Sequence, residues 1–212
     1  MSKSKAEAMN LPAITSIMRE GSIYPAVLGQ LLGRRAPRVI SAVCDVGILR
    51  NREVALFCSV KCPGELILKT YDYARELRDE GTTVISGFHS PMEKECLRIL
   101  LRGKQPLIIC PARSLHGMRL PWEWRLALAQ GRLLLLSPFA RRHRRVTARL
   151  AVLRNEFAAA LADEVFIAHA QPGSKSEALA KRVVAWGKPL MNPDACAKQV
   201  VEVYRQRHSA RG

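Results

Sequence analysis

The sequence has 212 residues, of which 48% are apolar and 25% are charged, a composition that suits one globular domain and excludes a disordered chain. Its 34 Lys and Arg residues against 18 Asp and Glu residues give a net charge of +16. This surplus indicates a polyanionic partner: nucleic acid, a nucleotide or an acidic membrane surface. A basic surface that serves only solubility is the alternative interpretation.

Membrane and secretion signals are the next classes to consider. No apolar stretch approaches the ~18 residues that a transmembrane helix requires. The charged N-terminus is not followed by the apolar segment of a secretory signal. Cys44, Cys58 and Cys110 lie in or beside apolar runs, as reduced core thiols do, and Cys58 and Cys62 lack the further ligands of a zinc site. We therefore predict a cytoplasmic protein without membrane contact, metal or cofactor.

Residues 1–37 are predicted to form an N-terminal helical extension, with its clearest helix at 24–32. Short apolar runs then recur and predict strands at 38–43, 54–58, 83–86, 107–110, 133–136 and 165–168. Amphipathic segments between and after these runs predict helices at 66–78, 92–101, 122–129, 146–161 and 176–186. Residues 194–212 are predicted to form a C-terminal helix and a basic tail.

The apolar runs are too short for helices and too continuous for half-exposed strands, which is typical of strands buried on both faces of a parallel sheet. Their alternation with helices indicates βαβ units. The sequence thus predicts an α/β fold over residues 38–193: a Rossmann-like, doubly wound, mostly parallel sheet with helices on both faces.

Ligands of such sheets bind beyond the carboxyl ends of the strands, so the loops that follow the strands carry the candidate binding residues. Several of these loops combine glycine with serine and lead into a helix, where backbone N–H groups can hold a phosphate. The candidates are Ser86, Gly87, Gly173 and Ser174, with Lys61, Arg113 and Lys175 as nearby charges. Gly-Ser turns also occur in sheets that bind nothing. The sequence lacks the GxxxxGK[ST] and GxGxxG motifs, which disfavours nucleoside-triphosphate hydrolysis and a standard NAD site.

Half of the excess charge lies in one segment. Residues 124–155 contain eight arginines and no acidic residue. The densest part consists of Arg141, Arg142, Arg144 and Arg145. Arginine favours forked contacts with phosphate, whereas the alternative is a solvated basic face. Few aromatic residues lie nearby, so we expect no reading of base sequence, and no histidine has the spacing to a nucleophile that would indicate catalysis.

Several motifs, in order, resemble those of the DNA-processing protein A (DprA, or Smf) family. Residues 54–59 (VALFCS) resemble its first strand and "VGSR" loop, and residues 83–87 (TVISG) resemble the start of "TVVSGLARGID". Residues 153–163 (LRNEFAAALAD) are similar to "RNRIIAGLSD", and residues 170–178 to the segment around "SGSLITA". The resemblance runs from about residue 23 to 190 and so covers the Rossmann-like core.

The resemblance implies single-stranded DNA binding by a basic pocket, a homodimer, and loading of a RecA-type recombinase in recombination or DNA uptake. The positions that it transfers are Ser86, Gly87, Arg154, Asn155, Gly173 and Ser174, with Lys61 as a looser match. It favours a binding protein over an enzyme. The alternative is a nucleotide-binding sensor or an enzyme like the related nucleoside-monophosphate phosphoribohydrolases, although the glycine-rich "PGGxGTxxE" loop of those enzymes is incomplete at residues 172–177.

Overall fold

A computed structural model describes residues 13–193. Within this range the chain forms one sheet of eight strands in the order β1-β2-β6-β5-β4-β3-β7-β8. The strands are β1 (Thr15–Met18), β2 (Val39–Val43), β3 (Glu53–Phe57), β4 (Thr83–Ser86), β5 (Leu107–Ile109), β6 (Leu133–Ser137), β7 (Glu164–Ile167) and β8 (Leu190–Met191). Strands β3 to β8 are parallel, and β1 and β2 are antiparallel to their neighbours.

Six α-helices accompany the sheet in the described part of the chain. They are α1 (Ala26–Leu32), α2 (Gly64–Asp79), α3 (Pro91–Leu101), α4 (Trp122–Ala129), α5 (Ala148–Leu161) and α6 (Lys175–Ala185). Helices α2, α3 and α4 pack on one face of the sheet, and α1, α5 and α6 pack on the other. The predicted α/β, doubly wound and mostly parallel fold is confirmed, and each predicted strand is present within one or two residues of its expected position.

The strand order explains where a ligand could bind. The chain moves outward from β3 through β4 and β5 to β6, and then returns to the other side of β3 as β7. The loops that follow β3 to β7 therefore all emerge at one edge of the sheet, which we call the carboxyl edge. In a doubly wound sheet this edge is the usual place for a ligand.

The segment before β2 differs from its prediction as a helical extension. It contains α1, but it also contains β1, which pairs with β2 and extends the sheet. The strand was missed because it has four residues and only Ile17 is buried, which is too short an alternation to recognise in sequence. The domain limits at residues 37 and 193 stay predictions, and the predicted C-terminal helix and tail lie outside the described residues.

Two apolar layers hold the sheet between its helices. Every residue of β3 and of β6 is buried, as expected for strands covered on both faces. On one face Phe157 of α5 packs against alternate strand residues, and on the other Leu100 of α3 does so. No helix within residues 13–193 is long and apolar enough to span a membrane.

A buried carboxyl group interrupts one of these layers at the amino end of β3. Glu53 is 3% exposed, and neither of its carboxyl oxygens has a hydrogen-bond partner among the described residues. Burial and, to a smaller extent, the nearby Asp163 carboxylate raise the pKa of Glu53 to about 8 against the opposing effect of the Lys188 ammonium. Lys188 itself donates to carbonyl oxygens at the end of α5, including that of Ala160 at 2.7 Å. Glu53 is thus protonated in the folded protein at pH values where it ionises in the unfolded chain.

We expect Glu53 to make stability fall as the pH rises. Because its pKa is raised from about 4.5 to about 8 on folding, the folded state binds the extra proton between these values, and the free energy of unfolding decreases across that window. The total loss is about 5 kcal/mol at most. Glu53→Gln removes the titration, so its urea unfolding between pH 5 and pH 8 should have a flatter pH dependence than that of the wild type. Equal slopes for the two proteins would contradict the assignment.

Candidate nucleic-acid interface

Arg154 is the buried cation at the carboxyl edge. It lies on α5 and is 3% exposed. Its Nη1 donates to the carbonyl oxygen of Cys110, just after β5, at 2.8 Å, and its Nε donates to Oδ1 of Asn155 at 2.6 Å. Burial lowers the pKa of Arg154, and the carboxylate of Glu93 opposes that shift. An arginine still keeps its charge under these conditions, so the sheet edge carries a fixed positive group.

Gly87, which follows β4, leaves the space that this guanidinium occupies. A β-carbon on Gly87 would lie 1.3 Å from Nη1 of Arg154 and 1.8 Å from its Cζ. Any larger residue therefore collides with the guanidinium. The two residues were predicted as binding positions from separate motifs, and the structure brings them into direct contact.

The N–H groups at the ends of β3 and β4 are occupied by the carboxylate of Glu93. Its Oε1 accepts from the N–H of Cys58 at 3.0 Å, and its Oε2 accepts from the N–H groups of His89 at 2.8 Å and Ser90 at 3.1 Å. Ser90 in turn caps the start of α3. The chain's own anion thus fills the position that the sequence predicts for a phosphate.

Ser86 also points into the protein. Its hydroxyl donates to the carbonyl oxygen of Leu56 at 2.6 Å and accepts from the N–H of Phe88 at 3.3 Å, and the residue has no exposed surface. In the structure its hydroxyl therefore holds the end of β4 to β3, and its contact with a ligand stays a prediction. Asn155 acts similarly, since its Oδ1 accepts from Arg154.

A second carboxylate, that of Glu177, accepts a backbone hydrogen bond from the loop after β7. Oε2 of Glu177 accepts from the N–H of Gly173 at 2.7 Å, while the N–H of Glu177 donates to Oγ of Ser174 at the start of α6. Oγ of Ser174 lies 3.5 Å from Oγ of Ser59 in the loop after β3. These contacts join the loops that follow β3 and β7, and in this sense we call the crevice between the two strands closed. Lys61 and Lys175 are exposed beside it.

Two cavities open along the remaining part of the carboxyl edge. The larger, about 800 Å³, lies between α3 and α4 and reaches three predicted residues, Gly87, Arg113 and Arg154. The smaller, about 670 Å³, lies at the start of α5. Its lining includes the predicted residues Arg142, Arg144 and Arg145, together with His143, Arg149 and Phe139. Arg141 is exposed beside the smaller cavity. Lys61, Ser86, Asn155, Gly173, Ser174 and Lys175 line neither of the two cavities.

Hydrogen bonds join the two loops that carry the arginines. The N–H of Ser114 donates to the carbonyl oxygen of His143 at 2.8 Å, which connects the loop after β5 to the loop after β6. Oγ of Ser137 donates to the carbonyl oxygen of Arg113 at 2.7 Å, and the Phe139 ring contacts the His143 ring edge-on. The arginines are therefore presented by loops that are fixed to each other and to the sheet.

Sequence reasoning missed the part of the larger cavity that α3 and α4 supply. Lys94 and Arg98 line it from α3, Arg102 lines it from the position directly after that helix, and Trp122 lines it from the start of α4. The three cations are spaced four residues apart, so they form one stripe along the helix. That spacing was a signal available in the sequence, whereas the position of Trp122 opposite the stripe was not.

The fold is similar to that of DNA processing protein A (DprA) from Streptococcus pneumoniae, with a TM-score of 0.71 and 19% identity over 91% of this chain and 70% of that one. The chain has the fold of DprA. It is also similar to the Helicobacter pylori DprA whose structure is described as showing a unique mode of single-stranded DNA binding (TM-score 0.68, 20% identity, 85% of this chain and 80% of that one). The resemblance predicted from the sequence motifs is thus confirmed at the level of the fold.

One further solved structure has a similar fold. A molybdenum cofactor binding protein from Rippkaea orientalis matches with a TM-score of 0.50 and 10% identity, over 73% of this chain and 98% of that one. No family model and no curated protein sequence matches the chain. The fold alone therefore assigns no ligand to the chain.

We expect Gly87→Ala to displace Arg154. The guanidinium ends a flexible side chain, but moving it breaks its bonds to Cys110 and Asn155, so we expect a loss of ~1–3 kcal/mol in the free energy of unfolding. Gly64→Ala is the matched control, because a β-carbon there has no atom within 4 Å.

Urea unfolding of both variants measures the difference. In an Arg154→Ala background the guanidinium that would collide with the new β-carbon is absent. Gly87→Ala should then lower the free energy of unfolding by a smaller amount. An equal loss of unfolding free energy in both backgrounds would show that the β-carbon at position 87 and the Arg154 guanidinium do not compete for space.

Proposed function

We propose that the protein binds single-stranded DNA along the carboxyl edge, with phosphates held by Arg154 and by the arginines at the start of α5. The observation that carries this proposal is the buried, hydrogen-bonded guanidinium of Arg154 at the end of a basic cavity. A cation held in this way has already lost its side-chain freedom and most of its water, so it is preorganised for a phosphate oxygen.

The bonding state of the guanidinium supports the proposal. Nε and Nη1 of Arg154 each donate a hydrogen bond, to Asn155 and to Cys110, whereas Nη2 donates none to the residues within 13–193. Arg154 also lines the larger cavity. The Nη2 atom of this buried arginine thus remains available to donate a hydrogen bond to a ligand. An arginine with a purely structural role does not need such a free donor.

The charge distribution supports a polyanion rather than a single phosphate. The acid-free segment 124–155 supplies the smaller cavity and Arg154, so positive charge continues from one cavity to the other. The Helicobacter pylori protein with the same fold is described as binding single-stranded DNA. By contrast, Glu93 and Glu177 already occupy the N–H groups that a small nucleotide sensor or a phosphoribohydrolase would use for phosphate.

Three further properties implied by the resemblance remain proposals. They are a homodimer, delivery of the bound strand to a RecA-type recombinase, and action in the cytoplasm during recombination or DNA uptake. Light scattering of the purified chain tests the first, and strand-exchange assays with and without the protein test the second. A non-enzymatic role is part of the same proposal, and release of free base from a nucleoside monophosphate would overturn it.

Arg154→Ala should weaken binding of a labelled oligothymidylate by ~1–3 kcal/mol and reduce the slope of log K against log salt by ~0.7. Arg75→Ala, which removes the same charge from the exposed side of α2, should change the affinity little. Fluorescence anisotropy over a salt series measures both. Salt-independent binding, or a thermal shift with mononucleotides but no retention of the oligonucleotide, would favour the nucleotide-sensor alternative.

The two ends of the carboxyl edge can be compared directly. The triple substitution of Arg142, Arg144 and Arg145 to Ala should lower the salt slope by ~2, because three phosphate contacts are lost. The double substitution of Lys61 and Lys175 to Ala removes charge beside the closed crevice between β3 and β7. If the lysine pair reduces the slope and the arginine triple does not, the strand follows the crevice and the proposed path is wrong.

A further inference from the structure

The larger cavity extends well beyond Arg154, as a groove between α3 and α4. Leu97 and Leu101 of α3 and Leu126 of α4 give it an apolar lining. It reaches from Arg154 at the carboxyl edge to Arg132, which directly precedes β6 at the opposite edge of the sheet. The groove therefore follows the outer face of the sheet for about the length of α3, ~16 Å.

Trp122 is the unusual residue of this groove. It is the first residue of α4 and is 63% exposed, whereas large aromatic side chains are usually well buried. Leu126, one turn further along α4, is 49% exposed. An exposed indole beside an apolar surface provides a flat face on which another ring can stack.

The charge along the groove selects among the possible occupants. Lys94, Arg98 and Arg102 form a stripe along α3 and its C-cap, and Glu123 is the acidic residue in the lining. Arg98 is paired with Glu95 on its own helix, which leaves the other two cations of the stripe for a ligand. An apolar peptide or lipid tail has no use for this charge, whereas a nucleotide combines a flat ring with an anionic phosphate.

We infer that the groove between α3 and α4 binds a nucleobase of the strand, stacked on Trp122, while an adjoining phosphate lies at Arg154. This inference rests on the proposed function, single-stranded DNA binding, and deepens it by adding a base subsite to a phosphate subsite. Stacking accepts any base, because every base has a π face, so the subsite adds affinity without sequence specificity. It also makes binding depend on bases, which arginine contacts with phosphate do not.

The three tryptophans at positions 122, 124 and 186 allow a direct test. Trp124→Phe with Trp186→Phe leaves Trp122 as the single indole, and Trp122→Phe with Trp124→Phe leaves Trp186, on the opposite face of the sheet. Each protein is titrated with oligothymidylate and with an abasic strand of equal length. We expect saturable quenching of Trp122 by oligothymidylate alone, and no response from Trp186.

Affinity provides the second readout. Trp122→Ala should weaken oligothymidylate binding about 5- to 100-fold and leave abasic-strand binding and the salt slope unchanged. Trp122→Phe should recover part of the loss, and thermal unfolding checks that both variants fold.

The outcomes separate this inference from the proposed function. If Trp122→Ala binds oligothymidylate as the wild type does, or if the abasic strand quenches Trp122 equally, the base subsite is wrong while single-stranded DNA binding stands. If the wild type retains no oligonucleotide at low salt, the proposed function fails and the subsite fails with it. Quenching by an acidic peptide but not by oligothymidylate would assign the groove to a protein partner and overturn the inference.

Discussion

The arrangement of the carboxyl edge depends on the need to bury the charged guanidinium of Arg154. A buried cation is costly unless nearby groups replace its water, so each segment around it has a fixed task. The carbonyl oxygen of Cys110 accepts from Nη1, and Asn155 accepts from Nε. The carboxylate of Glu93 supplies an opposing charge, and Gly87 leaves the space. Four segments of the chain thereby meet at this one guanidinium.

The chain's own carboxylates divide the carboxyl edge into a closed part and an open part. The carboxylates of Glu93 and Glu177 accept hydrogen bonds from backbone N–H groups next to the starts of α3 and α6. An anionic ligand would otherwise bind to these N–H groups. In the proposed function, side-chain cations rather than backbone dipoles attract the polyanion. They lie beyond β4, β5 and β6 and on α3, so the attractive surface is displaced from the crevice between β3 and β7, where a doubly wound sheet usually binds its ligand.

Sequence reasoning recovered the sheet because burial on both faces produces continuous apolar runs, as in β3 and β6. It missed β1, where a single buried residue, Ile17, gives no pattern. It selected Gly87 and Arg154 from motifs, but the reason that they occur together is a contact between two distant segments. It assigned Ser86, Gly173 and Ser174 to a phosphate, although the residue types alone do not reveal which partner each group takes in the folded chain.

The sequence by itself determined the fold class and the position of the excess charge, because apolar periodicity and residue type are written along the chain. The acid-free stretch that ends at Asn155 needs no coordinates to be recognised. Only the tertiary structure decided which loops satisfy their own N–H groups and which side chains share a cavity. Those choices depend on the order of the strands, which brings α3, α4 and the start of α5 together around β4 and β5. Trp122 opposite the cations of α3 is the clearest product of that arrangement.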